Sequence, residues 1–388
     1  MERQKERRIM ANIQKKDSIL VAMSGGVDSS AVALILQKAG FKVKGAILRL
    51  HDADMSADDL INGKLPASIW YAREVARKLR LDFSIIDIRK EFAEGVMRFF
   101  AEQHAIGQEP NPCIYCNSEL KLPQMFRMAE ELGCSKVASG HYARIQYDEA
   151  AGRYTIRKAK DRSQDQSYML YNLTQDMLAK LITPLGEYEK SEVREIAAKA
   201  GLKNAHVPDS CEVCFVPDGD YSAFVRDRLK MASDLGFIIG EIPGLIPGNI
   251  IDRDGRIIGR HEGLVNYVVG QRTGLDETIP AELCVYRKIA QTNELVLAPE
   301  EDMYMNNVIL ENVNYVSLGA IPGGQMRANV KFRYEQQEYS ATVKAQEDGT
   351  LALQLDEKVR LLASGRSVTL YDDDLLIAGG FIKETGML

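Results

Sequence analysis

No run of apolar residues in this 388-residue chain approaches the roughly 18 that a membrane-crossing helix needs, which excludes an integral membrane protein of that kind. The start, MERQKERRIMANIQKKD, lacks the apolar stretch of a signal peptide, so the expected compartment is the cytoplasm. In that compartment a structural disulfide framework is not expected. The six cysteines (Cys113, Cys116, Cys134, Cys211, Cys214 and Cys284) then read as thiols, metal ligands or redox centres. There is no repeat of fixed period and no low-complexity tract. There is no excess of positive charge either: the net charge of −6 speaks against indiscriminate nucleic-acid binding but leaves room for a local basic face. What is present is the balance of a globular enzyme, 45% hydrophobic and 27% charged, long enough for two or three domains.

The first 140 residues alternate short β-branched runs with helical patterns, the mark of a parallel sheet with crossover helices. Strands are expected at 18–23, 43–48, 83–88 and 136–139, and helices at 29–39, 67–79, 91–102 and 119–132. Between 160 and 200 the pattern stays helical, through SYMLYNLTQDMLAKLI and SEVREIAAKAG. From about 216 to 283 Gly, Pro and Asp turns separate short strands, suggesting a small α+β module. From 284 to the end, many short alternating strands imply a β-barrel or sandwich. The expected division is therefore 1–215, 216–283 and 284–388.

The strongest local signal is Ser24-Gly25-Gly26-Val27-Asp28-Ser29-Ser30, between a buried strand and a helix start. Two glycines let the backbone turn and approach an anion, while the helix N-terminus offers free N–H groups and partial positive charge. No Lys-Ser/Thr closes the loop, so it is not the type that grips β- and γ-phosphates. It resembles the PP-loop of ATP pyrophosphatases, which hold the pyrophosphate half of ATP while the α-phosphate is attacked. That resemblance implies adenylation, with ATP and Mg2+ bound and Asp28 organising the magnesium–pyrophosphate.

Two CxxC pairs narrow the chemistry. Cys113 and Cys116 sit on a loop entering a helix, and Cys211 and Cys214 follow about a hundred residues later. Such thiols suit a sulfur nucleophile or a four-thiolate metal set. Cys134 and Cys284, in apolar patterns, read as buried hydrophobes.

With these residues in view, the chain resembles the bacterial tRNA-specific 2-thiouridylases from about Lys16 to its end. The resemblance is carried by AMSGGVDSS (22–30), PNPCIYCN (110–117), SGHYAR (139–144), DQSYMLYNL (165–173) and PLGEYEKSEVREIA (184–197). It continues through DSCEVCF (209–215), HEGL with GQRTGL (261–275), KFRY (331–334) and GGFI (379–382). It implies an α/β protein: an N-terminal Rossmann-like PP-loop domain, a small central α+β module and a C-terminal β-barrel that contacts tRNA. It further implies that ATP adenylates C2 of a wobble uridine and that sulfur, relayed from a desulfurase or supplied as sulfide, replaces the oxygen. The family's nucleophile maps to Cys116 and its persulfide carrier to Cys214, which can pair as a disulfide. ATP contacts map to Ala22, Met23, Ser24, Gly25, Gly26, Val27, Asp28, Ser29, Ser30, Leu48 and Gly140. Contacts with the target base or tRNA map to Asn111, Pro112, Cys113, His141, Gln164, Asp165, Gln166, Arg333, Tyr334 and Arg366, with His141 and Tyr142 offering stacking surfaces.

The chain departs from the family pattern in four places. Cys113 stands where many members carry Asp, Cys211 is an extra thiol, and Gln164 and Arg366 replace the usual Lys and Gln. The two extra cysteines favour a second possibility: a 4Fe-4S cluster on Cys113, Cys116 and Cys214, with Cys211 as spare ligand, whose open iron holds the incoming sulfide. A different substrate class, an amide or amidine formed on a small molecule, needs the same loop but no paired thiols. The segment from Met1 to Lys16, with six Lys or Arg against two Glu, is a solvated leader or a phosphate-contacting arm.

Overall fold

The computed structural model describes residues 18–385 except 54, 57, 60, 61, 209–212, 217, 235–241, 276–278, 335, 336 and 361. The basic leader and Cys211 therefore lie outside the described residues.

Strand β1 (Ser18–Met23) is apolar throughout, with Ile19, Leu20 and Val21 fully buried, as expected of a central strand covered on both faces. The helix Val27–Lys38 buries nine of its twelve residues beside it, and Gly40 (φ +89) turns the chain into β2 (Lys42–Arg49). Helix Ala67–Leu79 then crosses to β3 (Asp82–Asp87), and β4 (Lys136–Ala138) follows two longer helical stretches. The chain then leaves this sheet as a hairpin, β5 (Ala143–Asp148) and β6 (Arg153–Lys158), and returns as β7 (Leu181–Ile182). The result is a five-stranded parallel sheet in the order β3-β2-β1-β4-β7. Most of the expected helix over 167–182 is absent: a 3-10 turn at Ser167–Leu170 and only Gln175–Lys180 as α-helix precede β7. Tertiary contacts of Tyr168 and Tyr171, both buried, override the local pattern there.

A four-stranded mixed sheet follows, built from β8 (Gly248–Ile251), β9 (Ile257–His261), β10 (Leu283–Ile289) and β11 (Glu294–Pro299). The strands over 283–299, expected in the barrel, pair here instead, because β11 lies parallel to β8 with Leu295 opposite Ile250. Alternation alone shows that a segment is a strand, and leaves its partner open.

The last part is a closed barrel of β12 (Tyr304–Tyr315), β13 (Gln325–Lys331), β14 (Tyr339–Ala345), β15 (Leu351–Arg360), β16 (Ser367–Asp372) and β17 (Leu375–Thr385), with β12 pairing β17 to complete the ring. Val330, Val343, Leu351, Leu370 and Ile382 fill its interior. The β5–β6 hairpin of the first half is hydrogen-bonded to β17, so one eight-stranded sheet runs from the barrel into the N-terminal segment. The expected fold class is the one found.

Candidate active site

The loop after β1 is shaped by one close approach. Gly25 takes φ +80, and a Cβ there would lie 2.2 Å from the Ser68 carbonyl oxygen. Only glycine fits. Gly26, in extended conformation, then caps the helix Val27–Lys38. Ser29 Oγ accepts from the Ser24 N–H at 3.1 Å, Ser30 Oγ donates to the Gly26 carbonyl at 2.9 Å, and Asn204 Nδ2 donates to the Gly25 carbonyl at 2.7 Å. Across the helix start lies Gly140, where a Cβ would sit 3.0 Å from the Ser29 nitrogen. Its missing side chain leaves the helix N-terminus open to an anion. Asp28, on the first turn, receives Lys190 Nζ at 2.7 Å and the Tyr142 hydroxyl at 2.8 Å.

Ser24, Asp28, Ser29, Ser68 and Gly140 line a cleft of about 630 Å3, together with Ala22, Met23, Leu48, Ile69, Met125 and His141. The apolar wall can cover a planar base and the loop end can take phosphates, so the cleft suits a nucleotide of ATP size. His141 hydrogen-bonds Ser139 Oγ through Nδ1 at 2.9 Å, and burial, aided by the Lys121 charge, holds its pKa down at about 3. It is therefore neutral. Tyr142 is only 1% exposed with its hydroxyl on Asp28, so it is no stacking platform; it orients that carboxylate.

The thiol region adjoins this cleft through Cys214. Asn111 accepts from the Cys113 N–H at 3.0 Å and starts a helix at Pro112, so Cys113 and Cys116 stand on its opening turns and the loop expected to carry them ends before them. The helix widens into a π-turn over Cys116–Lys121, and Asn117 Nδ2 donates to the Met169 carbonyl at 3.2 Å. Cys214 lines the nucleotide cleft. Cys113 lines a second cavity of about 800 Å3, and Val213 lines both. Cys116 is buried. Cys113 and Cys214 keep exposed surface, yet partial desolvation at the cavity walls raises the pKa of all three thiols. Cys214 is pushed up to about 12 by that desolvation first, then by the nearby sulfurs of Cys113 and Cys116.

The second cavity gathers Asn111, Pro112, Cys113, Arg333, Tyr334 and Arg366, residues from both ends of the chain that the sequence grouped together. Other expected tRNA contacts fall elsewhere. His141 and Gln166 line the nucleotide cleft, where Gln166 Oε1 accepts from the Tyr142 N–H at 3.0 Å. Asp165 is 4% exposed and accepts from Ala159 N–H and Ser167 Oγ, so its carboxylate builds a turn and is not offered to a ligand. Gln164 lines neither cavity, and its carbonyl accepts from the Tyr334 hydroxyl at 3.4 Å.

A cluster needs ligands at metal-holding spacing, and among the described residues no group of three or more His, Cys, Asp or Glu has it. Cys134 and Cys284 are buried, as their patterns indicated. Sequence reasoning missed Lys190 and Asn204, although Lys190 lies within the quoted segment 184–197.

Three family models match: the tRNA methyl transferase HUP domain over 17–218, its PRC-barrel domain over 236–299 and the aminomethyltransferase beta-barrel domain over 305–382. The tRNA-specific 2-thiouridylase MnmA 2 of Caldanaerobacter subterraneus subsp. tengcongensis is 36% identical over 96% of this chain and 99% of its own length. The tRNA-specific 2-thiouridylase MnmA of Clostridioides difficile is 35% identical over 95% of this chain and 98% of its own. Among solved structures, the U34-tRNA thiolase NcsA from Methanococcus maripaludis, with a 4Fe-4S cluster, shares 16% identity over 61% of this chain and 72% of that one. Its TM-score is 0.34, too distant to bear on the chemistry. Matched along nearly its whole length at this identity, the chain belongs to the tRNA-specific 2-thiouridylase family.

Proposed function

We propose that this chain is an ATP-dependent tRNA sulfurtransferase that converts a wobble uridine to 2-thiouridine. The observation that carries the reading is the meeting of two cavities beside the thiols: a nucleotide-sized cleft and a larger cavity share Val213, with Cys214 lining the first and Cys113 the second. An adenylated base needs this arrangement, because ATP, base and sulfur must converge on one carbon.

In the first step the C2 oxygen of a flipped uridine attacks the α-phosphorus of ATP and pyrophosphate leaves towards Ser24–Ser30. Mg2+ would accompany the pyrophosphate and be held by Asp28, the carboxylate that Lys190 and Tyr142 orient. In the second step sulfur arrives as a persulfide on Cys214. Its terminal sulfur attacks C2, and the C2–O bond breaks with its electron pair leaving on AMP. Cys116 then attacks the Cys214 Sγ, the S–S bond to the transferred sulfur breaks, and 2-thiouridine and a Cys116–Cys214 disulfide result. Sulfide closes the cycle by opening that disulfide, leaving a thiol on Cys116 and a persulfide on Cys214. The match of Cys116 and Cys214 to the family's nucleophile and persulfide carrier supports this route, whereas a cluster would need Cys113 as a third ligand. Arg333 and Arg366 are assigned to tRNA phosphates and Tyr334 to the base. Sheet membership supports a boundary near residue 300 between the central sheet and the barrel, and the tRNA substrate supports the cytoplasm as the site of action.

The test is anaerobic thiolation of a tRNA transcript with ATP and sulfide, starting from the enzyme with its Cys116–Cys214 disulfide formed. AMP and pyrophosphate as products, an iron-free active protein and full activity of Cys113→Ala are expected. ADP as product would exclude adenylation, and iron bound in proportion to activity would return the cluster.

A further inference from the structure

Residues 107–109, just before the thiol-bearing helix, are where all three sheets' territories meet. Gly107 (φ +83) passes so close to β10 that a Cβ would lie 3.0 Å from the Lys288 Cβ. On the other side Gly365 (φ +81), in the barrel turn between β15 and β16, leaves room for Gln108, whose Cβ is 2.8 Å from where a side chain would begin. The Glu109 N–H donates to the Ser364 carbonyl at 3.0 Å. The segment is wedged between the central sheet and the barrel by backbone approach on both sides.

Its one charged side chain joins the same three parts. Glu109 Oε1 accepts from the Val269 N–H at 3.1 Å and lies 3.5 Å from Lys288 Nζ, while Oε2 accepts from Arg366 Nη2 at 2.9 Å. The side chains of Lys288 and Glu109 are 1% and 9% exposed. Burial alone would raise the Glu109 pKa, but the Lys288 and Arg366 charges outweigh it and hold the carboxyl below its ordinary value. Arg366 carries more donors than this contact uses: its side chain keeps 28% of its surface exposed and lines the larger cavity. A cation held by one carboxylate with donors to spare beside a cavity is arranged for a second anion.

We propose that Glu109 is a positioning residue: it ties the central sheet and barrel to the start of the thiol helix and holds Arg366 at the cavity, so that a phosphate of tRNA seated there brings the target base to the thiols. This rests on the tRNA reading above. Glu109 touches no reacting atom, and acts through Arg366 and through Asn111, two residues along, which caps the helix of Cys113 and Cys116.

The experiment compares the full-length parent with Glu109→Gln and with the double variant Glu109→Gln/Lys288→Met, in which both buried charges are gone. Thiolation of a tRNA transcript is followed with ATP and sulfide, beside thermal melting. Expected for Glu109→Gln is a fall in kcat of about tenfold or more, since misplacement by an ångström costs that much, with KM for ATP unchanged. The double variant should recover the parent's melting temperature while kcat stays low. Recovery of kcat together with melting, or an ATP KM that rises as far as kcat falls, would overturn the proposal by reducing Glu109 to a packing role. A parent that binds ATP but thiolates no tRNA would overturn the functional reading instead, and this inference with it.

Discussion

The nucleotide cleft and the larger cavity beside it are built on opposite plans. The cleft takes its anion-binding end from seven consecutive residues, Ser24 to Ser30, at the junction of one strand and one helix. The cavity draws Cys113, Val269 and Arg366 from three sheets' territories and is held together by one carboxylate. A site made by one turn of backbone keeps its shape wherever the rest of the molecule goes. A site made by several parts exists only while those parts stay docked, and is the place to gate a reaction on the arrival of a large substrate.

The largest effect is expected at the wall between the two cavities. Cys116→Ser or Cys214→Ser should lower thiolation by about a thousandfold or more, since members of a reacting set fail together. ATP binding, measured by nucleotide titration, should survive. Loss of ATP binding in either variant would show that cleft and wall are one site.

Next in size is the loop itself. Gly25→Ala sets a methyl against the Ser68 carbonyl and forces an alanine to φ +80, a strain of about 1–3 kcal/mol. ATP turnover should fall by roughly a hundredfold as the phosphate cradle shifts, while tRNA binding holds. On the other side, Arg333→Ala should weaken tRNA binding about tenfold at low salt and lower the salt slope by about one, leaving the KM for ATP alone.

The smallest effect is one of pH. His104, beside the cavity, is held down at about 4 by burial and then by the Lys288 charge, as His141 is in the cleft at about 3. Unfolded histidine titrates near 6.5, so below that pH the unfolded chain binds protons that the native chain refuses. Stability is therefore whole above about pH 6.5 and is lost as pH falls towards 4. Denaturant midpoints should drop between pH 7 and pH 5, and His104→Gln should recover about 1 kcal/mol of the loss at pH 5.

The two plans also explain what could be read in advance. SGGVDSS is contiguous, so its strand–loop–helix context and its glycines were visible in the sequence. Its partners were not. Tyr142, Lys190 and Asn204 reach Asp28 or the loop from 114 or more residues away, and nothing local marks a lysine as the mate of one carboxylate. Asp165 shows the converse: its motif position suggests a ligand contact, whereas its carboxylate is engaged by Ser167 and Ala159 of its own segment. The alternation over 283–299 marks strands but leaves their partners open, because a period of two carries no information about the neighbour, and they join the sheet of β8 in place of the barrel. Glu109 carries no signal in the sequence, since a lone glutamate beside a motif looks like any surface charge until the chain has folded.

The hairpin β5–β6 has its place in the barrel's sheet against β17, with Arg157 opposite Leu375 and its guanidinium on Asp374, 217 residues along the chain. At ribosomal rates of 5–20 residues per second that interval is roughly 10 to 40 seconds, during which the β6 edge emerges without its neighbour. A nascent chain in this state presents an open strand edge to any other chain nearby. Strand β17 thus acts as a closing bolt: until it has left the exit tunnel the first half of the enzyme is a template for mispairing, and a chain stopped short of β17 should be sticky as well as inactive.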